Sequence, residues 1–256
     1  MNGPRVLLVD DDASIRRFVE LALEDLPIEF VACASVREAV AALQDRPAAL
    51  LITDLMMPGE TGLDLLEMLA ASPALAGHAR VAVFSAGLNA AMQSQLARFD
   101  IWRSLSKPIS VMELEACVRE ACGDAVAPPP AQTTEASAAA GIEGVPAASL
   151  SPLERAAVSD HFAGELALFL TFRAACLQQF HADVAAGDAA VATGDAQALR
   201  RLAHSLKTVL ATLGHPVLSA RSAQLEELAN AGDWPPARIA WRELSGAMRA
   251  LPANRD

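Results

Sequence analysis

Short apolar runs alternate with amphipathic segments over the first 122 residues of the chain. The runs VLLV, EFVAC, ALLIT, RVAVF and a weaker IWRSL have the length and composition of β-strands. Between them, apolar residues follow helical spacing, as at Ile15, Phe18, Val19 and Ala22. Strands that alternate with helices form a parallel sheet with helices on both faces. We therefore predict a doubly wound α/β domain with a five-stranded parallel sheet at residues 1–122.

The pattern changes twice after this domain. Residues 123–150 are rich in alanine, proline and other small residues and show no apolar period, which is typical of a linker. From 151 to 256 the apolar positions follow helical spacing only, which predicts an antiparallel helical bundle. Its first two predicted apolar stripes are Phe162, Leu166, Phe169, Leu170, Leu177, Phe180 and Val184, and then Leu199, Leu202, Leu206, Val209, Leu210 and Leu213.

One histidine, His204, lies in LAHSLKTVLATLG, on the predicted helix that carries the second of these stripes. At about 100° of rotation per residue, His204 falls roughly 160° from Leu206 at the centre of the apolar stripe. We therefore expect His204 to be exposed. Arg200, Arg201 and Lys207 lie within one turn of it and supply a positive field suited to a phosphoryl group. A solvated histidine on a charged face would give the same pattern, so both interpretations stay open at this point.

Acidic residues follow two of the predicted strands. Asp10, Asp11 and Asp12 come directly after VLLV, and Asp54 comes directly after LLIT. Because the carboxyl ends of parallel strands meet at one edge of a sheet, these side chains should converge. Carboxylates that lie close together repel one another unless a cation such as Mg²⁺ binds between them. Taken alone, an Asp at the end of a strand is more often a helix cap.

Two further residues are expected at the same edge. Ser85 follows VAVF and offers a hydroxyl donor, and Lys107 lies in a Lys-Pro step after the fifth predicted strand. With a metal ion and a lysine to balance the charge on the phosphoryl oxygens, one carboxylate can act as a nucleophile toward phosphorus. A Lys-Pro step alone is also consistent with a simple turn.

Charge and composition restrict the function further. The net charge of −11 and the pI near 4.9 argue against a nucleic-acid partner, which is bound through clustered Lys and Arg. The four cysteines have no zinc-site spacing. The first apolar run is too short for a signal peptide or a membrane span. We therefore expect a cytoplasmic protein without membrane insertion.

Four motifs of the first domain, VLLVDDD, LLITDLMMPGETGLDLL, VFSAG and SLSKP, resemble those of the response-regulator receiver domain over about residues 4–122. The resemblance implies a flavodoxin-like fold with Asp54 as the phospho-acceptor. It also implies a Mg²⁺ site formed by Asp10, Asp11, Asp54 and the backbone carbonyl of Met56.

The same resemblance assigns roles to Ser85 and Lys107. Ser85 would be the switch hydroxyl, and Lys107 would contact the acyl phosphate, whereas Asp12 would have no direct role. One position departs from the family pattern: Ser104 stands where an aromatic residue often turns inward on activation.

The bundle resembles the histidine phosphotransfer (Hpt) domain over about residues 151–251, through LRRLAHSLKTVLATLG and the following LEELANAGD. The resemblance implies that His204 is phosphorylated and that Lys207 neutralises the phosphoryl group. Thr208 departs from the pattern, because this position is usually a glycine that gives a partner room beside the imidazole.

These observations predict a phosphorelay intermediate that accepts phosphate on Asp54 and exchanges phosphate through His204. The implied partners are a sensor histidine kinase and another receiver or Hpt protein. No glycine-rich ATP-binding loop of a kinase follows the first domain, so phosphate would come from another protein, and whether the chain is itself an enzyme stays open. The alternative is a phosphorylation-controlled binding module in which the bundle only binds partners and His204 is idle. Direction of transfer, and exchange within or between chains, also stay open.

Overall fold

The computed structural model describes residues 3–86, 90–123 and 150–251. Apart from its two end residues, the predicted linker at 123–150 lies outside the described residues. The first part of the chain contains β1 (Arg5–Val9), α1 (Ala13–Ala22), β2 (Glu29–Cys33), α2 (Val36–Asp45), β3 (Leu50–Thr53), α3 (Gly62–Ala71), α4 (Pro73–Ala76), β4 (Arg80–Ser85), α5 (Ala90–Leu96), β5 (Arg103–Ser106) and α6 (Val111–Cys122). The second part contains α7 (Pro152–His161), α8 (Leu166–Thr193), α9 (Ala196–Thr212), α10 (Pro216–Ala231) and α11 (Trp234–Arg249).

The five strands form one sheet in the order β2-β1-β3-β4-β5, and all neighbouring pairs are parallel. The predicted fold class is confirmed. The apolar residues of β1 and β3 are fully buried because helices cover both faces of the sheet. The strand order reverses between β1 and β3, and a ligand crevice opens at such a point beyond the carboxyl ends of the strands. Asp10 and Asp54 follow these two strands.

Two apolar clusters cover the sheet. The cluster on one face includes Val36 of α2, Leu65 of α3 and Leu96 of α5. The other cluster includes Phe18 of α1 and Leu114 of α6, and it continues without a break into the bundle. The apolar core therefore extends across both parts of the chain.

In the bundle, α9 packs against α8 and α10, and α11 packs against α10 and α8. Helix α9 begins after Asp195, whose carboxylate accepts a hydrogen bond from the backbone N–H of Ala198 at 2.9 Å. Its buried stripe follows the prediction, with Leu202 only partly buried. The chain turns at Gly214, which has a φ of +79° and lies so close to Leu153 that a Cβ would meet its carbonyl oxygen at 2.6 Å. Only glycine fits both conditions.

The prediction of one continuous apolar stripe starting at Phe162 is wrong at its first residue. Phe162 is the C-cap of α7, and α8 begins at Leu166. Between them Ala163 and Gly164 have positive φ values of 54° and 84°, which interrupts the helix. Apolar spacing alone does not reveal such a break, because Phe162 still points into the same core.

Four phenylalanines join the two parts of the chain. The ring of Phe18 on α1 packs edge-on against Phe162 and Phe172, with centroids 5.6 and 5.5 Å apart. Phe162 in turn packs against Phe169 at 5.3 Å. None of the four is more than 4% exposed. We call these four residues the phenylalanine cluster.

Candidate functional site

Three carboxylates converge at the carboxyl ends of β1 and β3. Asp10, Asp11 and Asp54 each place one carboxylate oxygen within 4.8 Å of the others. Backbone N–H groups fix two of them: that of Asp12 donates to Asp10 Oδ1 at 2.9 Å, and that of Met56 donates to Asp54 Oδ1 at 3.1 Å. The sequence-predicted acidic residues are therefore together, and Met56 lies in the loop beside them.

Lys107 neutralises part of this negative charge. Its Nζ donates to Asp10 Oδ2 at 2.6 Å and to Asp54 Oδ2 at 2.8 Å, and it lies 4.8 Å from the centre of the Phe84 ring. Burial raises the pKa of Asp10 to about 7, although Lys107 opposes the shift. Burial also raises the pKa of Asp11, and the neighbouring Asp54 adds to it. For Lys107, burial lowers the pKa, but attraction to Asp10 and Asp54 outweighs it and holds the pKa above its ordinary value.

Ser85 lies at the end of β4, next to this centre but not in the cleft above it. The residue is buried, and its backbone carbonyl accepts a hydrogen bond from the Lys107 N–H at 2.9 Å. The described residues that line the cleft do not include Ser85. Ser85 is thus connected to Lys107 through the backbone, whereas the cleft is lined directly by Asp10, Asp11, Asp54, Met56 and Lys107.

His204 lies on the face of α9 opposite its leucine stripe, as predicted, and is oriented by Glu226 of α10. His204 Nδ1 lies 2.7 Å from Glu226 Oε1. A carboxylate can only accept a hydrogen bond, so Nδ1 carries the proton and Nε2 carries the lone pair of the neutral ring. This Nε2 is buried and has no hydrogen-bond partner among the described residues.

Lys207 also contacts Glu226, with its Nζ 2.8 Å from Glu226 Oε2. Burial would raise the pKa of Glu226, but the hydrogen bonds from His204 and Lys207 outweigh it and lower the pKa to about 2. Lys207 therefore pairs with a carboxylate in this structure, and its contact with a phosphoryl group, which the resemblance implies, stays a prediction.

Sequence reasoning missed Glu226, although a signal was present. His204 lies ten residues before Gly214, and Glu226 lies twelve residues after Gly214. In an antiparallel helix pair, residues at similar distances from the turn face each other.

The two candidate sites meet in one cleft. Besides the acidic residues and Lys107, this cleft is lined by Arg201, His204, Ser205 and Thr208 of α9. The prediction that His204 is exposed is wrong: its side chain is only 12% exposed, because the first domain covers this face of α9. Thr208 is 4% exposed and fits within the cleft.

Asp12, for which no role was predicted, connects the two domains. Its carboxylate caps α1 by accepting from the backbone N–H of Ser14 at 2.7 Å. It also accepts a hydrogen bond from the Ser205 hydroxyl of α9. Near this contact, a guanidinium nitrogen of Arg200 lies 3.7 Å from the Met56 sulfur. Both contacts join α9 to the loops that carry the acidic residues.

The model of the response regulator receiver domain family matches residues 6–119, and that of the Hpt domain family matches residues 166–254. The architecture of the chain agrees with these two matches: a parallel α/β domain with an acidic centre is followed by a helical bundle with an oriented histidine. The chain is a fusion of a response regulator receiver domain and an Hpt domain, and both domains belong to two-component phosphorelay signalling.

Curated relatives share only part of their length with this chain. The phosphate regulon transcriptional regulatory protein PhoB of Pseudomonas aeruginosa is 36% identical over 69 residues, which are 27% of this chain and 30% of that protein. The response regulator protein PilR of the same organism is 29% identical over 122 residues, 47% of this chain and 26% of that protein. This chain thus spans less than a third of the length of either relative.

Solved structures show similar partial matches. A response regulator receiver protein from Pseudomonas putida has 29% identity and a TM-score of 0.43, over 47% of this chain and 98% of that one. The chemotaxis protein CheY4 of Vibrio cholerae has 24% identity and a TM-score of 0.43, over 46% of this chain and 98% of that one.

Among the described residues, no helix is both long and apolar enough to cross a bilayer.

Proposed function

We propose that Asp54 and His204 are the two phosphorylated residues of this phosphorelay protein. Asp54 accepts a phosphoryl group from a phosphohistidine of a partner such as a sensor histidine kinase, and His204 exchanges phosphate with a receiver aspartate. One observation carries the proposal: the unpartnered Nε2 of His204 and the carboxylate of Asp54 belong to residues that line the same cleft.

The residues around Asp54 fit a divalent cation. Oxygen ligands of Mg²⁺ lie about 2.1 Å from the ion and therefore roughly 3–4 Å from one another, which is compatible with the three carboxylates of Asp10, Asp11 and Asp54. The Met56 carbonyl would be a further oxygen ligand. When bound, Mg²⁺ neutralises charge that builds up on the phosphoryl oxygens. Lys107 stabilises the same charge from the side of β5, and Ser85 supports Lys107.

The residues around His204 favour a nucleophilic nitrogen. Glu226 holds the proton on Nδ1, so the lone pair of Nε2 is available to phosphorus. Phosphorylation at Nε2 makes the ring cationic, and the carboxylate of Glu226 stabilises this charge. Lys207 positions Glu226 through its ion pair.

Two pairs of variants test the proposal in the full chain. With acetyl phosphate and Mg²⁺, Asp54→Asn should abolish the base-labile acyl phosphate, whereas Asp100→Asn, the same change at an exposed residue, should keep it. His204→Gln should abolish the acid-labile, base-stable phosphohistidine formed by a phosphorylated receiver partner, whereas His181→Gln should keep it. A base-labile label that persists in Asp54→Asn contradicts the assignment of Asp54. Loss of only the aspartate label, with no phosphohistidine in any variant, favours the binding-module alternative.

A further inference from the structure

The phenylalanine cluster is built like the interior of one domain, although its members come from two. Phe18 of the receiver is 4% exposed, and Phe162 and Phe172 of the Hpt domain are completely buried. Aromatic side chains each bury roughly 150–250 Å², so separating the domains exposes a large apolar surface. The cluster therefore favours a docked arrangement of these two domains.

Polar contacts set the position of α9 within this arrangement. The Ser205 hydroxyl donates to Asp12, two residues after Asp10, and Arg200 lies against Met56, two residues after Asp54. His204, adjacent to Ser205, is thereby aligned with the loops that hold the acidic residues. Docking through the phenylalanine cluster and alignment through α9 are two independent sets of contacts with the same result.

We propose that Asp54 and His204 of one chain are each other's phosphotransfer partners, and that the docked Hpt domain excludes other phosphodonors from Asp54. This inference rests on the proposed function and adds the identity of the partner. Asp54 is 3% exposed, and residues of α9 line the cleft above it. A phosphohistidine from another protein therefore reaches Asp54 only after the Hpt domain has moved away.

The transfer within the chain balances without a further reactant. In one direction, the P–N bond at His204 Nε2 breaks as a P–O bond to an Asp54 carboxylate oxygen forms. The imidazole leaves as the neutral ring with its proton still on Nδ1, held by Glu226. In the other direction, the lone pair of Nε2 displaces the Asp54 carboxylate, which leaves as the anion.

Dilution distinguishes transfer within a chain from transfer between chains. The wild-type chain is loaded on His204 with potassium phosphoramidate in the presence of a chelator, desalted, and mixed with Mg²⁺. We expect phosphohistidine to disappear with a rate constant that is the same at about 1 µM and about 100 µM protein. A loaded Asp54→Asn chain mixed with an unloaded His204→Gln chain should react about a thousandfold more slowly at 1 µM, because tethering gives a local concentration near the millimolar range.

A second experiment tests the docking surface. Phe18→Ala should lower the rate of transfer within the chain about tenfold, because the loss of one edge-to-face contact weakens docking of the two domains by up to about tenfold. In a His204→Gln background, the same change should raise the labelling of Asp54 by acetyl phosphate severalfold, because the cleft opens. Phe99→Ala is the matched control: Phe99 packs against the cluster on the other face of the sheet, so neither rate should change in these directions.

The outcomes separate this inference from the proposed function. If both residues are labelled by separate partners, but the wild-type rate rises in proportion to protein concentration, the inference is wrong and the proposed function stands. If Phe18→Ala does not raise the labelling of Asp54 in the His204→Gln background, the docked Hpt domain does not exclude other phosphodonors, and this part of the inference is wrong. A wild-type chain that keeps its phosphohistidine as long as Asp54→Asn also overturns the inference. Absence of any label on Asp54 and His204 overturns the proposed function itself.

Discussion

The environment of His204 depends on residues far from it in sequence. Its direction, opposite the leucine stripe, follows from helical geometry within α9 and was predictable. Its burial was not, because the covering residues, such as Asp12 and Met56, lie about 150 to 190 positions earlier in the chain. A helical period shows which face of a helix is polar, but it does not show what covers that face.

Glu226 should be needed for the reactivity of His204. Replacement of Glu226 by Gln keeps the size of the side chain but removes the charge that stabilises a phosphorylated ring, so we expect formation of phosphohistidine to slow by about tenfold. The unfolding free energy at pH 7 should fall by roughly 1.5–3 kcal/mol, the range for hydrogen bonds to a charged group. Glu227→Gln, at the exposed neighbouring residue, is the control and should change neither quantity.

The pH dependence of this stabilisation follows from the lowered pKa of Glu226. The pKa is about 2 in the folded protein, compared with an ordinary value of 4.5. A lowered folded-state pKa contributes stability that is complete above the unfolded-state value and is lost as the pH falls toward the folded-state value. The contribution of the Glu226 carboxylate to the stability difference between wild type and Glu226→Gln should therefore be complete above about pH 5, shrink below about pH 4.5 and vanish near pH 2. Denaturant unfolding at several pH values measures it, and an unchanged difference at pH 3 would contradict this role of Glu226.

The three carboxylates predict that phosphorylation of Asp54 requires a divalent metal ion, whereas the phosphohistidine at His204 does not depend on one. A chelator should stop labelling of Asp54 by acetyl phosphate but leave phosphohistidine intact in the Asp54→Asn chain. Asp11→Asn removes one of three carboxylates and should raise the Mg²⁺ concentration for half-maximal labelling by about tenfold or more. Asp45→Asn, at an exposed residue of α2, is the control. Equal labelling rates with and without chelator would rule out the metal site.

At the scale of elements, the sequence predicted the strands better than the helix boundaries. β1 and β3 are mainly apolar and are buried, as is typical of central parallel strands, and acidic residues follow both of them directly. The start of α8 was missed because it depends on the backbone at Ala163 and Gly164. Chemistry at the carboxyl ends of strands was predictable for the same reason, since topology alone brings Asp10 and Asp54 together.

The contact between α8 and α11 also depends on a detail that helical spacing does not show. Trp241 of α11 lies directly over Gly187 of α8, and its indole N–H donates to Asp188 at 2.8 Å. A Cβ at residue 187 would lie 2.1 Å from the Trp241 ring. The glycine, unfavourable within a helix, is therefore required by the close approach of the ring.

Gly187→Ala should destabilise the bundle by about 1–3 kcal/mol, because displacement of the indole outweighs the better helix propensity of alanine. Gly246→Ala is the matched control within α11, where a Cβ meets nothing within 4 Å. This control should stabilise the protein by roughly 0.5–1 kcal/mol. Thermal or denaturant unfolding measures both variants. If both stabilise equally, the packing of Trp241 against Gly187 is less restrictive than the structure indicates.

At the scale of the whole molecule, the sequence predicted two domains and gave no sign that they share a core. Phe18 belongs to the apolar stripe of α1, and Phe172 lies on α8 in the bundle. Each of these two residues fits the apolar stripe of its own domain, so neither residue suggests a contact with the other domain. Apolar periodicity predicts that a helix face is buried. It does not predict which surface packs against that face, because this depends on the shapes of the two surfaces.

This shared core predicts coupled unfolding. In the wild-type chain, unfolding of either domain exposes the phenylalanine cluster of the other, so we expect calorimetry to show one transition. Phe18→Ala weakens the interface and should separate the transition into two, with the less stable domain melting about 4–8 °C earlier for each kcal/mol of lost coupling. Phe99→Ala weakens the receiver without touching the interface, so its single transition should shift and stay single. If the wild-type chain already melts in two steps that Phe18→Ala leaves unchanged, the domains do not stabilise each other, and the docked arrangement contributes nothing to the free energy of unfolding.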